Sequence, residues 1–373
     1  MIYLILFFIT SILFYAAQQL KDTSKVAFYV LSYLAIFLLA LVAGCRDNTI
    51  GTDVTVYEDR TFNLANHSGS PITDAFGDLG GVEPFFYILN YIASLFGDLG
   101  TALFLIMFVQ TLFVFYGMKF YMDRAPLWML MLAYDFLFYN TTLNIMRQGI
   151  AVAFMLFSYQ YVEKRKLIKL LLMAILSFFW HKTGAVAFIM LLGIYFISWR
   201  SESTQKKLFF ILIPSCIFAI ASLSIIMKSL VEAIPIMNRF SDYTEGVFKA
   251  KLSASQIGAK LFLAGLALFM YLNKTATQRQ LYIFLILIIF DLSSRFLGLY
   301  AFFATRFAYY FEIIEIPLLF EMMNSNKIKR NTRLVLSNLI LLYFGLTYLR
   351  YFLYLGEHLT YPYVSRVYNI TFY

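Results

Sequence analysis

Residues 25–53 read KVAFYVLSYLAIFLLALVAGCRDNTIGTD. Positions 26–44 of this stretch run nineteen residues without a charge, close to the roughly 20 a helix needs to cross the hydrocarbon core of a bilayer. Cys45-Arg46-Asp47 and the turn-forming Gly51-Thr52-Asp53 then return the chain to water. The alternation of long apolar run and short polar turn recurs along the whole chain. Of 373 residues, 61% are hydrophobic and only 14% charged, whereas an average soluble domain carries about 25% charged residues. With a mean hydropathy of +0.73, no soluble core hides this much apolar surface, so soluble globular, disordered and disulfide-rich secreted classes are excluded.

Worked outward from that segment, the pattern predicts an all-α polytopic membrane protein, a single domain over residues 1–373. Twelve transmembrane helices are expected at about 2–20, 26–44, 100–120, 126–143, 145–162, 167–181, 184–199, 208–227, 258–272, 281–297, 300–323 and 334–355. The apolar stretch Phe85–Phe96 is too short to span and reads as a re-entrant or interfacial helix. The N-terminal run lacks a basic flank and a small-residue cleavage site, so it reads as a retained span.

More than half of the 30 basic residues fall in one set of loops, from Lys21 and Lys25 through Lys164, Arg165 and Lys166 to Arg330 and Arg333. The positive-inside rule makes that face cytoplasmic and turns both termini outward. The formal charge of +9 is therefore topological and calls for no nucleic-acid partner. Two outer loops stand out, at about 45–99 and 228–257. Loops of that length are uncommon in compact proteins unless they serve function or are disordered, and the functional reading puts the working surface outside. Phe and Tyr are abundant, 41 and 28, as at membrane interfaces and sugar-binding clefts. Cys45 and Cys216 lie far apart, and neither these nor the three His show metal-ligand spacing, so no metal and no cofactor are expected.

Charges in or beside spans are costly and become functional candidates. Arg46 follows the second span. Asn144, Arg147 and Gln148 share one helical face. His181 and Lys182 end another span, Arg295 closes the tenth with Asp291 one turn earlier, and Arg306 lies early in the eleventh. All fall at one predicted membrane depth. Such guanidinium groups bind phosphate oxygens bidentately and hold a diphosphate without metal; if it is a leaving group, they also stabilise its developing charge. Glu83 precedes Pro84 at a helix start, where an acid is favoured in any case, with Tyr87 and Asn90 on the same face. Asp135, Glu312 and Glu315 fall nearer mid-membrane, as coupling sites or as paired helix-packing residues.

The ordered series Arg46, Gly51-Thr52-Asp53, Tyr57, Glu83, Asn144-Ile145-Met146-Arg147-Gln148 and His181 resembles the EpsG family, Wzy-like polymerases of bacterial capsule, exopolysaccharide and O-antigen. Arg306 with Tyr309-Tyr310-Phe311 is more loosely similar to a late arginine-aromatic motif. The resemblance implies a GT-C-like fold and a bacterial inner-membrane glycosyltransferase whose active site faces the periplasm or cell exterior. It would move a growing glycan from undecaprenyl diphosphate to a lipid-linked repeat unit, with a chain-length regulator as an optional protein partner. On that footing Arg147, Arg306 and Arg46 hold diphosphates, with Arg295 and Lys182 as weaker candidates. Either His181 or Glu83 takes the acceptor proton. Asp53 and Gln148 orient sugars or arginines, and Tyr57, Tyr87, Asn144 and Tyr310 contact or orient sugar. A lipid-linked oligosaccharide flippase, a membrane O-acyltransferase and a glycan ligase are the rival readings.

Overall fold

Why the second helix forms is visible at both its ends. In the computed structural model, which describes residues 2–77, 81–233, 254–299, 302–323 and 327–373, Ser24 accepts the Ala27 N–H at 3.2 Å and opens a helix over Lys25–Gly44. That helix, α2, follows α1 (Ile2–Leu20) and packs against α6 (Leu99–Lys119). A Cβ on Gly44 would lie 2.7 Å from the Phe104 Cβ and 2.9 Å from the Gly100 carbonyl oxygen, so glycine is what lets the two backbones approach. Close approach through small residues is how apolar helices associate when water supplies no drive.

Between α2 and α6 lie a π-helical turn, Val54–Glu58, and three short helices: α3 (Asp59–Asn66), α4 (Pro71–Phe76) and α5 (Pro84–Ser94). At 1.5 Å per residue the eleven residues of α5 reach about half the hydrocarbon thickness, so this helix does not span. It buries Phe86, Tyr87, Leu89, Asn90 and Ala93. Next come α7 (Leu127–Tyr134), a π-helical turn Asp135–Tyr139, α8 (Asn140–Asn144), α9 (Met146–Glu163), α10 (Leu167–Trp180) and α11 (Lys182–Ser198). The remaining helices are α12 (Glu202–Ala233), α13 (Ala254–Leu272), α14 (Gln278–Leu297), α15 (Ala308–Met323) and α16 (Arg330–Tyr348).

Helix occurs in each segment expected to cross, but among the described residues six helices are long and apolar enough by length and composition. They are Ile2–Leu20, Lys25–Gly44, Leu99–Lys119, Ala254–Leu272, Gln278–Leu297 and Arg330–Tyr354. The protein is an all-α membrane protein. The second outer loop begins later than expected, because α12 continues to Ala233, and ends earlier, because α13 begins at Ala254; residues 234–253, with Pro235, Arg239, Asp242, Tyr243, Glu245, Lys249 and Lys251, lie outside the described residues.

The chain forms two compact units, Met1–Phe188 with Asn331–Tyr373, and Ile189–Arg330. In the first, Tyr3, Phe7, Leu39, Ala43, Met107, Tyr139, Tyr348, Phe352 and Tyr363 make a buried core. Its rings meet edge to face, Tyr3 on Tyr363 at 5.6 Å and Phe7 on both Tyr139 and Tyr348 at 5.4 Å, a geometry worth about 1 kcal/mol per pair beyond area burial. Part of the aromatic surplus therefore serves helix packing.

The sequence reading has no strand, yet the chain ends in a hairpin, β1 (Tyr363–Ser365) with β2 (Ile370–Phe372). It docks on the end of α2: Arg46 bridges Ser365, Asp47 N–H donates to the Val364 carbonyl at 2.9 Å, and Arg366 N–H donates to that of Cys45 at 2.9 Å. The opposite end of this unit is basic, with Lys21 on Asp123 at 2.7 Å and Lys119 over the Tyr29 ring at 4.6 Å.

Candidate functional site

At the hairpin-covered end of the first unit, one carboxylate gathers three groups. Glu83 precedes Pro84, which takes the first helical position of α5 with its fixed φ and missing N–H. Glu83 Oε1 accepts from His181 Nδ1 at 2.6 Å and from the Lys182 N–H at 3.3 Å, while Oε2 accepts from Arg147 Nη1 at 3.0 Å. His181 reaches this point because α10 stops at Trp180 and the backbone there is extended, φ −164° and ψ 130°, before α11 begins. The first N–H of α11 is thus aimed at a carboxylate, the favourable arrangement at a helix N-terminus. Burial raises the Glu83 carboxyl, but the His181 hydrogen bond and charge, the Arg147 charge and the Lys182 N–H outweigh it. The group sits at about 2.

Arg147 is the second residue of α9, whose start is set by the break at Ile145, φ −83° and ψ 48°. Its guanidinium lies 5.5 Å from the Tyr57 ring centroid, and its side chain keeps 24% exposure. Arg46 is different. It is 1% exposed, Nη2 donates to the Met146 Sδ at 3.3 Å, and Nε and Nη1 have no hydrogen-bond partner among the described residues. Burial lowers its pKa, with Tyr3, Tyr139, Glu58 and Tyr363 opposing the shift. A buried cation without a carboxylate partner is costly and is the kind of group retained for a ligand.

Glu58, at the end of the π-helical turn, is the residue that sequence reasoning missed. It is 1% exposed while Asp59 beside it is exposed, and nothing in their spacing separates the two; only the π turn decides which faces in. Burial pushes its carboxyl up to about 7, against the Asn90 hydrogen bond and the charges of Arg147 and Arg46. Its Oε1 has no hydrogen-bond partner among the described residues. An acid poised near neutrality beside two arginines is a functional-site signature.

Asp53, Tyr57, Tyr87, Asn144, Gln148 and Lys182 lie in the same unit, but Asn144 ends α8 before the break at Ile145 and so does not share a helical face with Arg147 and Gln148. Asn144 Oδ1 accepts from Thr52 Oγ and from the Asp53 N–H, both at 2.9 Å, and Nδ2 lies 3.2 Å from His358 Nδ1. It ties the turn Gly51–Asp53 to the C-terminal segment. Gly51 itself has φ +87°, a conformation open to glycine. Gln148 is buried beside Arg147, and the Lys182 side chain is exposed. Tyr57 is exposed against Arg147, while Tyr87 is buried with its hydroxyl 3.3 Å from the Leu64 carbonyl.

Arg295, Arg306 and Tyr310 belong to the second unit. Arg295 Nε donates to Asp291 at 2.5 Å and Nη2 to Glu312 at 2.9 Å. Lys260, from α13, completes the cluster with Asp291 at 2.5 Å, Glu315 at 2.7 Å and Glu312 at 3.3 Å. The expected Arg295–Asp291 pair is present, and for Glu312 and Glu315 the paired helix-packing reading describes this geometry, whereas Asp135, in the first unit, accepts from the Thr10 hydroxyl at 3.3 Å. Tyr310 is fully buried, and Arg306 lies in a 3₁₀ turn, Phe302–Phe307, partly exposed.

Fold and site together define an integral membrane protein of α-helices with a cation-rich group at one end of its first unit. The EpsG family model matches residues 28–365, and the chain belongs to that family, which consists of Wzy-like polysaccharide polymerases. No curated protein and no solved structure matches it.

Proposed function

We propose that the protein is a metal-independent polysaccharide polymerase. It transfers a growing glycan from undecaprenyl diphosphate to the non-reducing end of a lipid-linked repeat unit, at the outer leaflet of the bacterial inner membrane. A frame of twelve crossings related to the GT-C transferases is part of the same reading. The observation that carries it is the shared Glu83 carboxylate, which joins an imidazole to a guanidinium within 3.0 Å.

The chemistry follows from protonation. An ionised Glu83 only accepts, so Nδ1 of His181 donates to it, and in the neutral form of the ring Nε2 is the atom that carries the lone pair. Nε2 takes the proton of the acceptor hydroxyl as its oxygen attacks the anomeric carbon, and the bond from that carbon to undecaprenyl diphosphate breaks. Glu83, held near 2, is too weak a base at neutral pH and positions His181 instead. Arg147 and Arg46 bind the departing diphosphate, where donors aimed at developing charge contribute most; Arg306, in the other unit, stays a candidate phosphate ligand on the family resemblance alone. Arg295 has its donors on Asp291 and Glu312, so its role in this reading is packing. Asp53 and Gln148 orient the site, and Tyr57 offers a ring face to sugar.

The test uses purified protein in lipid nanodiscs with lipid-linked repeat units from the source strain. A product ladder that survives EDTA and is lost in Arg147→Ala supports the reading. Folded protein that makes no ladder from verified substrate overturns it in favour of a flippase, which a translocation assay then checks.

A further inference from the structure

A second feature of the first unit lies beside α5. A cleft of about 610 Å³ is lined by Arg60, Asn63, His67, Ser68, Asp74 and Tyr87, within the roughly 300–1,000 Å³ of ligand pockets. Its walls are the second half of α3, the turn into α4, and one face of α5.

The chemistry of the lining selects a ligand class. Arg60 and Asp74 are the charged members and cancel formally. The rest are an amide, an imidazole and a hydroxyl, a mixture of donors and acceptors, with Leu64, Gly69 and the ring of Tyr87, whose hydroxyl is taken by the Leu64 carbonyl, completing the lining. An anion site would be all donors, and a lipid-chain site would be apolar. Hydroxyl-rich rings need both donors and acceptors. The polar groups are also held in place. Ser68 Oγ donates to Asp74 Oδ2 at 2.5 Å, and His67 Nδ1 lies 2.8 Å from the Asn63 carbonyl oxygen. A carbonyl only accepts, so Nδ1 is the donor there and Nε2 of the neutral ring is left as an acceptor.

Position supplies the second argument. Tyr87 stands four residues after Glu83 on α5, about 6 Å along the helix axis. The helix whose start holds the partner of His181 therefore also forms the floor of the cleft. We infer that this cleft is a saccharide subsite, taking the sugar rings of the acceptor repeat unit beyond the one that attacks. The inference rests on the proposed polymerase reading, and its test separates the two.

The probe is the repeat-unit oligosaccharide released from its lipid, titrated onto full-length protein in nanodiscs. Two variants are compared. Asn63→Ala removes a lining amide. Gly69→Trp fills the cleft from an exposed position where an added Cβ meets nothing within 4 Å, and a thermal melt matching wild type establishes its fold. Wild type binds, and both variants bind about tenfold more weakly, as for loss of one or two hydrogen-bonded contacts. KM for the lipid-linked acceptor rises by a similar factor while kcat stays within about twofold. Arg147→Ala binds the free oligosaccharide as wild type does, and inorganic pyrophosphate does not compete. Equal affinity in wild type and Gly69→Trp overturns the subsite even if polymerisation is intact, and competition by pyrophosphate overturns it as an anion site. Oligosaccharide binding that the variants weaken, in protein that makes no polymer, supports the subsite and removes the polymerase reading.

Discussion

Two groups of buried charge, one in each unit, are built on opposite principles. Around Lys260 every cation meets carboxylates: Lys260 touches Asp291, Glu312 and Glu315, and Arg295 touches Asp291 and Glu312. Around Glu83 one carboxylate serves both Arg147 and His181, Arg46 meets a thioether, and Glu58 is poised near neutrality. In the first network both cations are fully engaged and the spare capacity, among the described residues, is an acceptor, Glu315 Oε1. The second carries more donor capacity than its protein partners use. Charge count does not distinguish structural from chemical clusters in a membrane protein; the balance of donors against acceptors does.

The largest effect is expected where the paired network is opened. Lys260→Met leaves Asp291, Glu312 and Glu315 without their shared cation and is expected to cost about 3–5 kcal/mol of stability. Thermal unfolding of the detergent-solubilised variant checks this. Arg46→Met sharpens the comparison from the other side: turnover is expected to fall about 100-fold, as for loss of a transition-state donor, while the melting temperature does not drop. A melting temperature well below wild type would place Arg46 with the paired network.

Glu58 gives a pH signature. Its folded-state value, about 7, lies above the ordinary 4.5, so the folded protein binds more protons than the unfolded chain between those values. Stability is therefore expected to decline as pH rises through 4.5 to 7, by roughly 3 kcal/mol, and to be insensitive to Glu58 above that range. Glu58→Gln should remove the slope, measured as the difference in unfolding free energy across pH 4.5–8. The same ionisation places a carboxylate beside Arg147 and Arg46, so diphosphate affinity is expected to weaken several-fold above pH 7 in wild type but not in Glu58→Gln. The smallest effect belongs to Lys182→Ala. Its backbone N–H, not its ammonium, meets Glu83, and turnover should change by about twofold or less; a hundredfold loss would make the ammonium a phosphate ligand.

Much of this site was legible before any coordinates, for a simple reason. Arg46, Glu83, Arg147 and His181 are charged or titratable groups interrupting apolar sequence, where each is expensive and so conspicuous. Their partnership was not legible: Glu83 lies 64 positions from Arg147 and 98 from His181. Nor could spacing decide between Glu83 and His181 as base, because that depends on which group the other one stabilises. Glu58 was hidden by its acidic neighbour Asp59, and Lys260 by its resemblance to any lysine near a helix end. The C-terminal hairpin escaped because strands of three residues are too short for an alternating pattern to register; its position comes from backbone bonds to residues 45–47.

The amino-acid sequence by itself determined that this chain is a helical membrane protein, because the cost of exposing apolar groups to water adds residue by residue and needs no knowledge of neighbours. Only the tertiary structure decided which charges are neutralised and which remain available. A charge inside a low-dielectric fold takes its energy from whatever stands within a few ångströms, and that company is chosen by the packing of helices far apart in the chain.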